Sequence, residues 1–248
     1  MGQLDGKIAL VTGGSRGIGA ALALGLAEAG ADIVIADLPS QDAESQATQA
    51  KVETLGRACR RVHMDVTDKS GVEYAVAEAG RIDILVNNAG ILKAMPLEDL
   101  DQATWDAHFD VNARGVLFVT NAVLPQMRTR KAGRIINIAS LAARQGIPTE
   151  GHYAATKSAV VTLTRVYAQE AGADGITVNA ICPGIILTEM ARNKLSSQAE
   201  IDNWAQSTSL KRLGDPVDVV GPAVFFASSQ ADYVSGQALN VCGGLYFH

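Results

Sequence analysis

A chain of 248 residues, 48% hydrophobic with mean hydropathy +0.12, can bury a sizeable core as one α/β domain, which excludes general disorder. Its net charge of −5, sequence pI of about 5.4 and lack of a long Lys/Arg block argue against nucleic acid or an anionic membrane as partner. Cys59, Cys182 and Cys242 show neither disulfide nor zinc spacing, and no apolar run reaches signal-peptide or transmembrane length, so a soluble cytoplasmic protein without a metal is expected.

Taken in order, strand and helix patterns alternate. Lys7 to Thr12 (KIALVT) is a short apolar run of the buried parallel-strand kind. It leads into Gly13-Gly14-Ser15-Arg16-Gly17-Ile18-Gly19, and an Ala-rich helical pattern runs from about Ile18 to Ala29 and stops at Gly30. A Gly-rich turn between strand and helix lets backbone N–H groups approach a phosphate at the positive end of the helix. Such a turn is equally well a tight connection when it stands alone. The second strand, Ala31 to Asp37, ends in an acid 18 residues after Gly19, where a carboxylate can accept from both hydroxyls of an adenosine ribose and would repel a 2′-phosphate. Arg16 is the one nearby cation that opposes this preference for NAD over NADP, because Leu38 and Pro39 offer none.

A polar helical pattern covers about Ser40 to Leu55, and a third strand, Ala58 to Met64, leads into Asp65 and Val66, placed to meet adenine. Helix signals return over Lys69 to Ala79. The fourth strand, Ile82 to Val86, ends in Asn87-Asn88-Ala89-Gly90, small enough for the backbone to pass close to a flat ligand. One long helix is expected from about Thr104 to Met127, with Asn112 in its middle as a mediocre helix former able to bond at a kink or to water. Arg134 to Ala139 is the fifth strand, with Ser140 at its carboxyl end. A helix over Gly151 to Ala171 and a sixth strand over Ile176 to Ile181 follow, broken by Pro183-Gly184. Ile185 to Gln206 reads as weak helix or loop, Pro216 to Ser228 as the last helix, and Ala238 to Val241 as a closing strand.

A helix starting near Gly151 places Tyr153 and Lys157 on one face, about 6 Å apart along the axis. A phenol acting as base near neutrality needs roughly 4 kcal/mol of differential stabilisation, and a neighbouring ammonium contributes to it. A Ser hydroxyl from another segment can polarise a substrate oxygen beside that phenol. Alone, Tyr-x-x-x-Lys is as easily a surface pair; its company decides.

Thr12-Gly13-x-x-x-Gly17-x-Gly19, Asn87 to Gly90, Asn112, Ser140, Tyr153-x-x-x-Lys157 and Pro183-Gly184 together resemble the short-chain dehydrogenase/reductase family, over about Leu4 to Gly244. The resemblance implies a Rossmann-type doubly wound α/β fold, a seven-stranded parallel sheet of order 3-2-1-4-5-6-7 in a single domain. That domain would span residues 1–248 and include a substrate loop at about 185–210. It makes Tyr153 the general acid/base, Ser140 the holder of the substrate oxygen, Lys157 the partner of nicotinamide ribose and phenolate, and Asn112 the anchor of a relay water. It places NAD against Gly13, Ser15, Arg16, Gly17, Ile18, Gly19, Asp37, Asp65, Val66, Asn88, Ala89, Gly90, Tyr153, Lys157, Pro183, Gly184, Ile185 and Thr188. It also implies a homo-oligomer, commonly a tetramer.

The family's substrate pockets form where this chain carries Arg144, Gln145, Glu150, His152, Asn193 and Trp204, a polar mix that suits a sugar, polyol or small hydroxy compound better than a steroid or acyl chain. Glu150 and His152 are alternatively a solvated helix start. Two other readings stay open: an NADPH-using reductase of 3-oxoacyl-carrier proteins, which Asp37 disfavours, and a catalytically silent NAD-binding regulator, which the intact Asn112, Ser140, Tyr153 and Lys157 disfavour. Two features depart from the family pattern: a segment between Asp65 and Arg81 about one helical turn short, and an aromatic tail from Gly244 to His248.

Overall fold

The computed structural model describes residues 2–189, 191 and 197–247. In chain order the elements are β1 (Ile8–Thr12), α1 (Gly17–Glu28), β2 (Asp32–Asp37), α2 (Asp42–Thr54), β3 (Cys59–His63), α3 (Lys69–Ala79), β4 (Ile84–Asn87), α4 (Gln102–Phe109), α5 (Gly115–Arg130), β5 (Gly133–Ile138), α6 (Ala142–Gln145), α7 (Gly151–Ala171), β6 (Ile176–Pro183), α8 (Gln198–Ser207), α9 (Val220–Ala227) and β7 (Ala238–Val241). The seven strands form one parallel sheet in the order β3-β2-β1-β4-β5-β6-β7. This is the Rossmann-type topology that the sequence predicts.

Continuous apolar runs form these strands because both faces of the sheet are covered. Side-chain alternation divides each run between two cores. Ala9, Val11, Ile33, Ile35, Ile84, Val86, Ile136 and Ile138 face one layer, where Leu22, Leu26, Ala223 and Phe226 of α1 and α9 cover them. Leu10, Val34, Leu85, Ile135 and Val178 face the other, beneath Val72 and Val76 of α3, Val119, Val123 and Met127 of α5, and Tyr167 of α7.

Two expectations change in detail. The long helix predicted from about Thr104 begins at Gln102, capped by the Asp101 carboxylate accepting from the Thr104 N–H at 2.6 Å. It is interrupted by a π-helical turn at Asp110–Arg114 that carries Asn112. Only after that turn does the α-helix resume at Gly115. Within 185–206, α8 starts at Gln198, where the Ser197 hydroxyl accepts from the Glu200 N–H at 3.2 Å.

Parallel strands put all their carboxyl ends on one edge. Thr12, Asp37, Asn87, Ser140 and Pro183 therefore lie along that edge, on both sides of the switch between β1 and β4.

Candidate active site

The Gly-rich turn is shaped by sterics. Gly13 and Gly17 have φ of +61° and +55°, the left-handed region that strains residues with a Cβ. A Cβ on Gly19 would lie 1.9 Å from the Gly13 carbonyl oxygen, so α1 can begin directly under the turn only with glycine there. Asn88 locks the turn to the end of β4 by donating from Nδ2 to the carbonyls of Thr12 and Gly13, both at 3.0 Å. The Thr12 hydroxyl accepts from the N–H groups of Asn88 and Ala89 at 3.0 and 3.1 Å.

Asp37 sits beside the turn. One carboxylate oxygen accepts from the Ser15 N–H at 3.1 Å and the other from the Leu38 N–H at 2.9 Å. A carboxylate has about four lone-pair positions, so two remain for the hydroxyls of a ribose. The Ser15 hydroxyl is buried without a hydrogen-bond partner, as expected of a group built to meet a ligand. Asp65 instead turns its carboxylate onto Thr67, accepting from its N–H at 2.9 Å and its hydroxyl at 2.7 Å, while Val66 is buried against Gly115. Thr188 faces the turn from the far side, 3.5 Å from where a Gly17 Cβ would lie. Pro183 accepts from the Leu141 N–H at 2.8 Å, and Gly184 donates to the Val241 carbonyl at 2.9 Å, which fixes the start of the loop carrying Ile185.

Asn112, Ser140, Tyr153 and Lys157 converge around the ends of β4 and β5. Asn112 is fully buried, its amide oxygen accepting from the Ile91 N–H at 2.8 Å and its amide nitrogen donating to the Ile91 carbonyl at 3.0 Å. The same nitrogen reaches the Thr156 hydroxyl at 3.2 Å, and that hydroxyl donates to the Tyr153 carbonyl at 2.7 Å. The buried Lys157 ammonium donates to the Ile138 carbonyl at 2.9 Å and lies 5.7 Å from the centre of the Tyr153 ring. Burial is the largest influence on both groups. It pushes the Tyr153 phenol above its ordinary pKa, with the Ser140 hydroxyl pulling the other way, and it brings Lys157 down to about 8. The ammonium is spent on a carbonyl, and desolvation outweighs the help that the phenol receives.

The residues expected to contact substrate divide. His152 is wholly buried; its Nε2 donates to the Lys93 carbonyl at 2.9 Å, and its ring meets His108 edge-on with centroids 4.3 Å apart. His108 donates from Nδ1 to the Thr104 carbonyl at 2.7 Å and accepts at Nε2 from the Lys93 N–H at 3.1 Å. The pair grips the Lys93 backbone from both sides, which sets His152 in the wall of the site with its buried Nδ1 lacking a partner among the described residues. Glu150 is likewise buried, at the start of α7, and the solvated alternative fails for both residues. Arg144 donates to the Ala238 carbonyl at 2.5 Å and sits beside the buried Cys182 thiol, a structural tie to β7. Gln145 and Trp204 are exposed; Asn193 lies outside the described residues. Thr12, Thr156, Ile91 and His108 are the residues that sequence reasoning left out of the site. Thr12 alone was visible, as the first position of the glycine motif.

A parallel sheet with a glycine cradle at its first turn, and on α7 a half-buried Tyr153 with the buried Lys157 beside the end of β5, defines a nicotinamide-dinucleotide type of oxidoreductase site. A family model described as enoyl-(acyl carrier protein) reductase matches residues 13–246. The 3-oxoacyl-[acyl-carrier-protein] reductase FabG of Staphylococcus epidermidis is 37% identical over 97% of this chain and 99% of its own. The 2-dehydro-3-deoxy-D-gluconate 5-dehydrogenase of Dickeya dadantii is 40% identical, covering 98% and 96%. The crystal structure of a gluconate 5-dehydrogenase from Burkholderia cenocepacia, in complex with NADP and tartrate, superimposes with a TM-score of 0.93 at 40% identity, again covering 98% and 96%. The chain belongs to the short-chain dehydrogenase/reductase family. It is an oxidoreductase acting on alcohol or ketone groups with a nicotinamide cofactor.

Proposed function

We propose that this enzyme interconverts a secondary alcohol and a ketone on a polyhydroxylated compound of the sugar-acid class, using NAD in preference to NADP. The observation that carries the reaction is the convergence of Ser140, Tyr153 and Lys157 beside the glycine turn. When bound, the cofactor supplies the two-electron redox chemistry. Gly13, Ser15, Gly17, Ile18 and Gly19 would hold its pyrophosphate, and Asp37 its adenosine ribose. Asp65 and Val66 would lie at the adenine, and Asn88, Ala89, Gly90, Pro183, Gly184, Ile185 and Thr188 along the nicotinamide half. The unpartnered Ser15 hydroxyl and the space left by Gly13 and Gly19 fit that group.

Ser140 orients the substrate oxygen against the Tyr153 hydroxyl, which takes the alcohol proton in oxidation and returns it in reduction. Lys157 would hold the nicotinamide ribose, and its ammonium would favour the Tyr153 phenolate. Asn112, seated in the π turn, links this proton path to solvent. The sugar-acid class rests on the gluconate-type relatives, and the NAD preference rests on Asp37. The relative that binds NADP and the one that reduces 3-oxoacyl groups define the competing reading.

A panel of aldonates, polyols and 3-oxoacyl thioesters, assayed with each cofactor by reduced-nicotinamide absorbance, decides between them. NAD should exceed NADP by at least about tenfold in kcat/KM, the equivalent of 1.4 kcal/mol of phosphate–carboxylate repulsion, and Asp37→Ala should narrow the gap. Preference for NADP and a 3-oxoacyl thioester would reject the proposal. Three free cysteines suit a reducing, cytoplasmic setting. Exposed Leu117 on α5 and Val166 on α7 suit helix pairing in a homotetramer.

A further inference from the structure

Arg16, the one cation that sequence analysis sets against Asp37, does not turn toward Asp37. Its Nη1 instead lies 3.4 Å from the Glu189 carboxylate. Glu189 directly follows Thr188, which already faces Gly17, so the two segments approach each other at neighbouring residues. Asp37 meanwhile accepts the Ser15 N–H, one residue before Arg16. Two carboxylates, Asp37 and Glu189, thus flank the turn that carries the guanidinium.

We propose that Glu189 is a specificity-determining residue that holds Arg16 away from the adenosine 2′ position and so disfavours a 2′-phosphate. This rests on the reading that NAD is the preferred cofactor, and adds to it a second carboxylate acting through Arg16. The physical basis is competition for one guanidinium. Arg pairs with carboxylate and phosphate by the same donor geometry, and a pair engaged with Glu189 must be broken or shared before a phosphate can use it. The two side chains are 58% and 72% exposed, so the competition is screened and its scale is that of a surface ion pair. The effect is therefore a modest adjustment of preference superimposed on the direct repulsion from Asp37.

The test is calorimetric titration of the cofactor-free protein with NAD and with NADP, in the wild type, Glu189→Gln, Arg16→Gln and the double variant. Both side chains are exposed, Glu189→Gln is isosteric and Arg16→Gln only shortens a surface side chain, so folding is not at issue. Glu189→Gln should tighten NADP by about two- to fivefold, a surface pair's worth, and move NAD by less than twofold. In the Arg16→Gln background the same change should leave NADP affinity within about 1.5-fold, because the group it frees is gone. The effect should shrink at high salt. Equal tightening with and without Arg16 would mean that Glu189 acts only through its own field, and no tightening, or weaker NADP binding, would mean that it does not compete at all; each overturns the proposal. The wild-type ratio of the two affinities reports separately on the NAD preference, so a wild type that favours NADP yet shows the Arg16-dependent gain would reject that reading and leave the Glu189 coupling standing.

Discussion

Tyr153 and Lys157 are held in a state that favours neither folding nor, by itself, catalysis. Burial lowers Lys157 from 10.5 to about 8, so below pH 8 the folded protein carries an ammonium at a cost of about 3 kcal/mol relative to water. The unfolded chain binds that proton up to pH 10.5 and the folded one only up to about 8, so this group makes stability rise with pH between the two. Lys157→Met should therefore remove activity while stabilising the protein. The net gain is about 1–2 kcal/mol after the Ile138 carbonyl loses its donor, a rise of roughly 2–4 °C in Tm per kcal/mol. Urea unfolding at pH 7.5 and 9.5 checks the sign, since the variant should lack the wild type's gain at the higher pH. Tyr153→Phe keeps ring and packing and loses only the ionisable oxygen. Its kcat should fall at least ~10²-fold with cofactor affinity nearly unchanged, and more than a hundredth of wild-type turnover would contradict the acid/base role.

At the scale of elements, contacts at glycines and caps set how helices meet the sheet. Gly25 in α1 packs on Val220 at the start of α9, where an added Cβ would fall 2.0 Å from a Val220 methyl carbon. A helix-interior Gly→Ala gains up to about 1 kcal/mol in propensity, but overpacking a β-branched neighbour costs typically 1–3. Gly25→Ala should be destabilising by about 1 kcal/mol, and Val220→Ala should relieve part of it. A double-mutant cycle of urea midpoints without such coupling would place the clash elsewhere. The His108–His152 grip on the Lys93 backbone also behaves as a unit, because both rings hold the same residue and the His108 Nε2 must stay unprotonated to accept the Lys93 N–H. Burial lowers the His108 pKa below 6.5, so its contribution is present above that value and is lost as pH falls below it. His108→Gln should flatten the loss of stability between pH 6.5 and 5, read from urea midpoints. An unchanged slope would assign the acid sensitivity to other groups.

For the whole molecule, the doubly wound sheet brings five strand ends from separate parts of the chain to one edge, and the outer faces of α5 and α7 are left with exposed Leu117 and Val166. Burial of such residues between copies is the expected use of those faces. Light scattering at micromolar concentration should give four times the 25.9 kDa chain mass. A monomer mass would reject the assembly, and Leu117→Glu should shift it toward smaller species.

Most strands were legible as short runs of Ala, Val, Ile and Leu bounded by turn residues, although β3 (Cys59–His63) carries two arginines and a histidine, while the strand order followed only from the family resemblance that the glycine, Asn, Ser and Tyr–Lys motifs carry together. Local signals of this kind depend on neighbours within a few positions, which the sequence displays directly. The π turn around Asn112 was not legible: a helical pattern from Thr104 to Met127 looks the same with or without one extra residue in a turn, and the choice depends on Ile91 and Thr156 meeting the Asn112 amide. His152, Glu150 and Arg144 were read as substrate contacts because polar residues near Tyr153 look available in one dimension. Their partners, Lys93 and His108 for His152 and Ala238 for Arg144, lie 59, 44 and 94 residues away. Only the folded chain brings those groups together. For the same reason, the sequence set Arg16 and Asp37 near one glycine turn, while only the tertiary structure brought Glu189 to 3.4 Å from Arg16 and gave that guanidinium its partner.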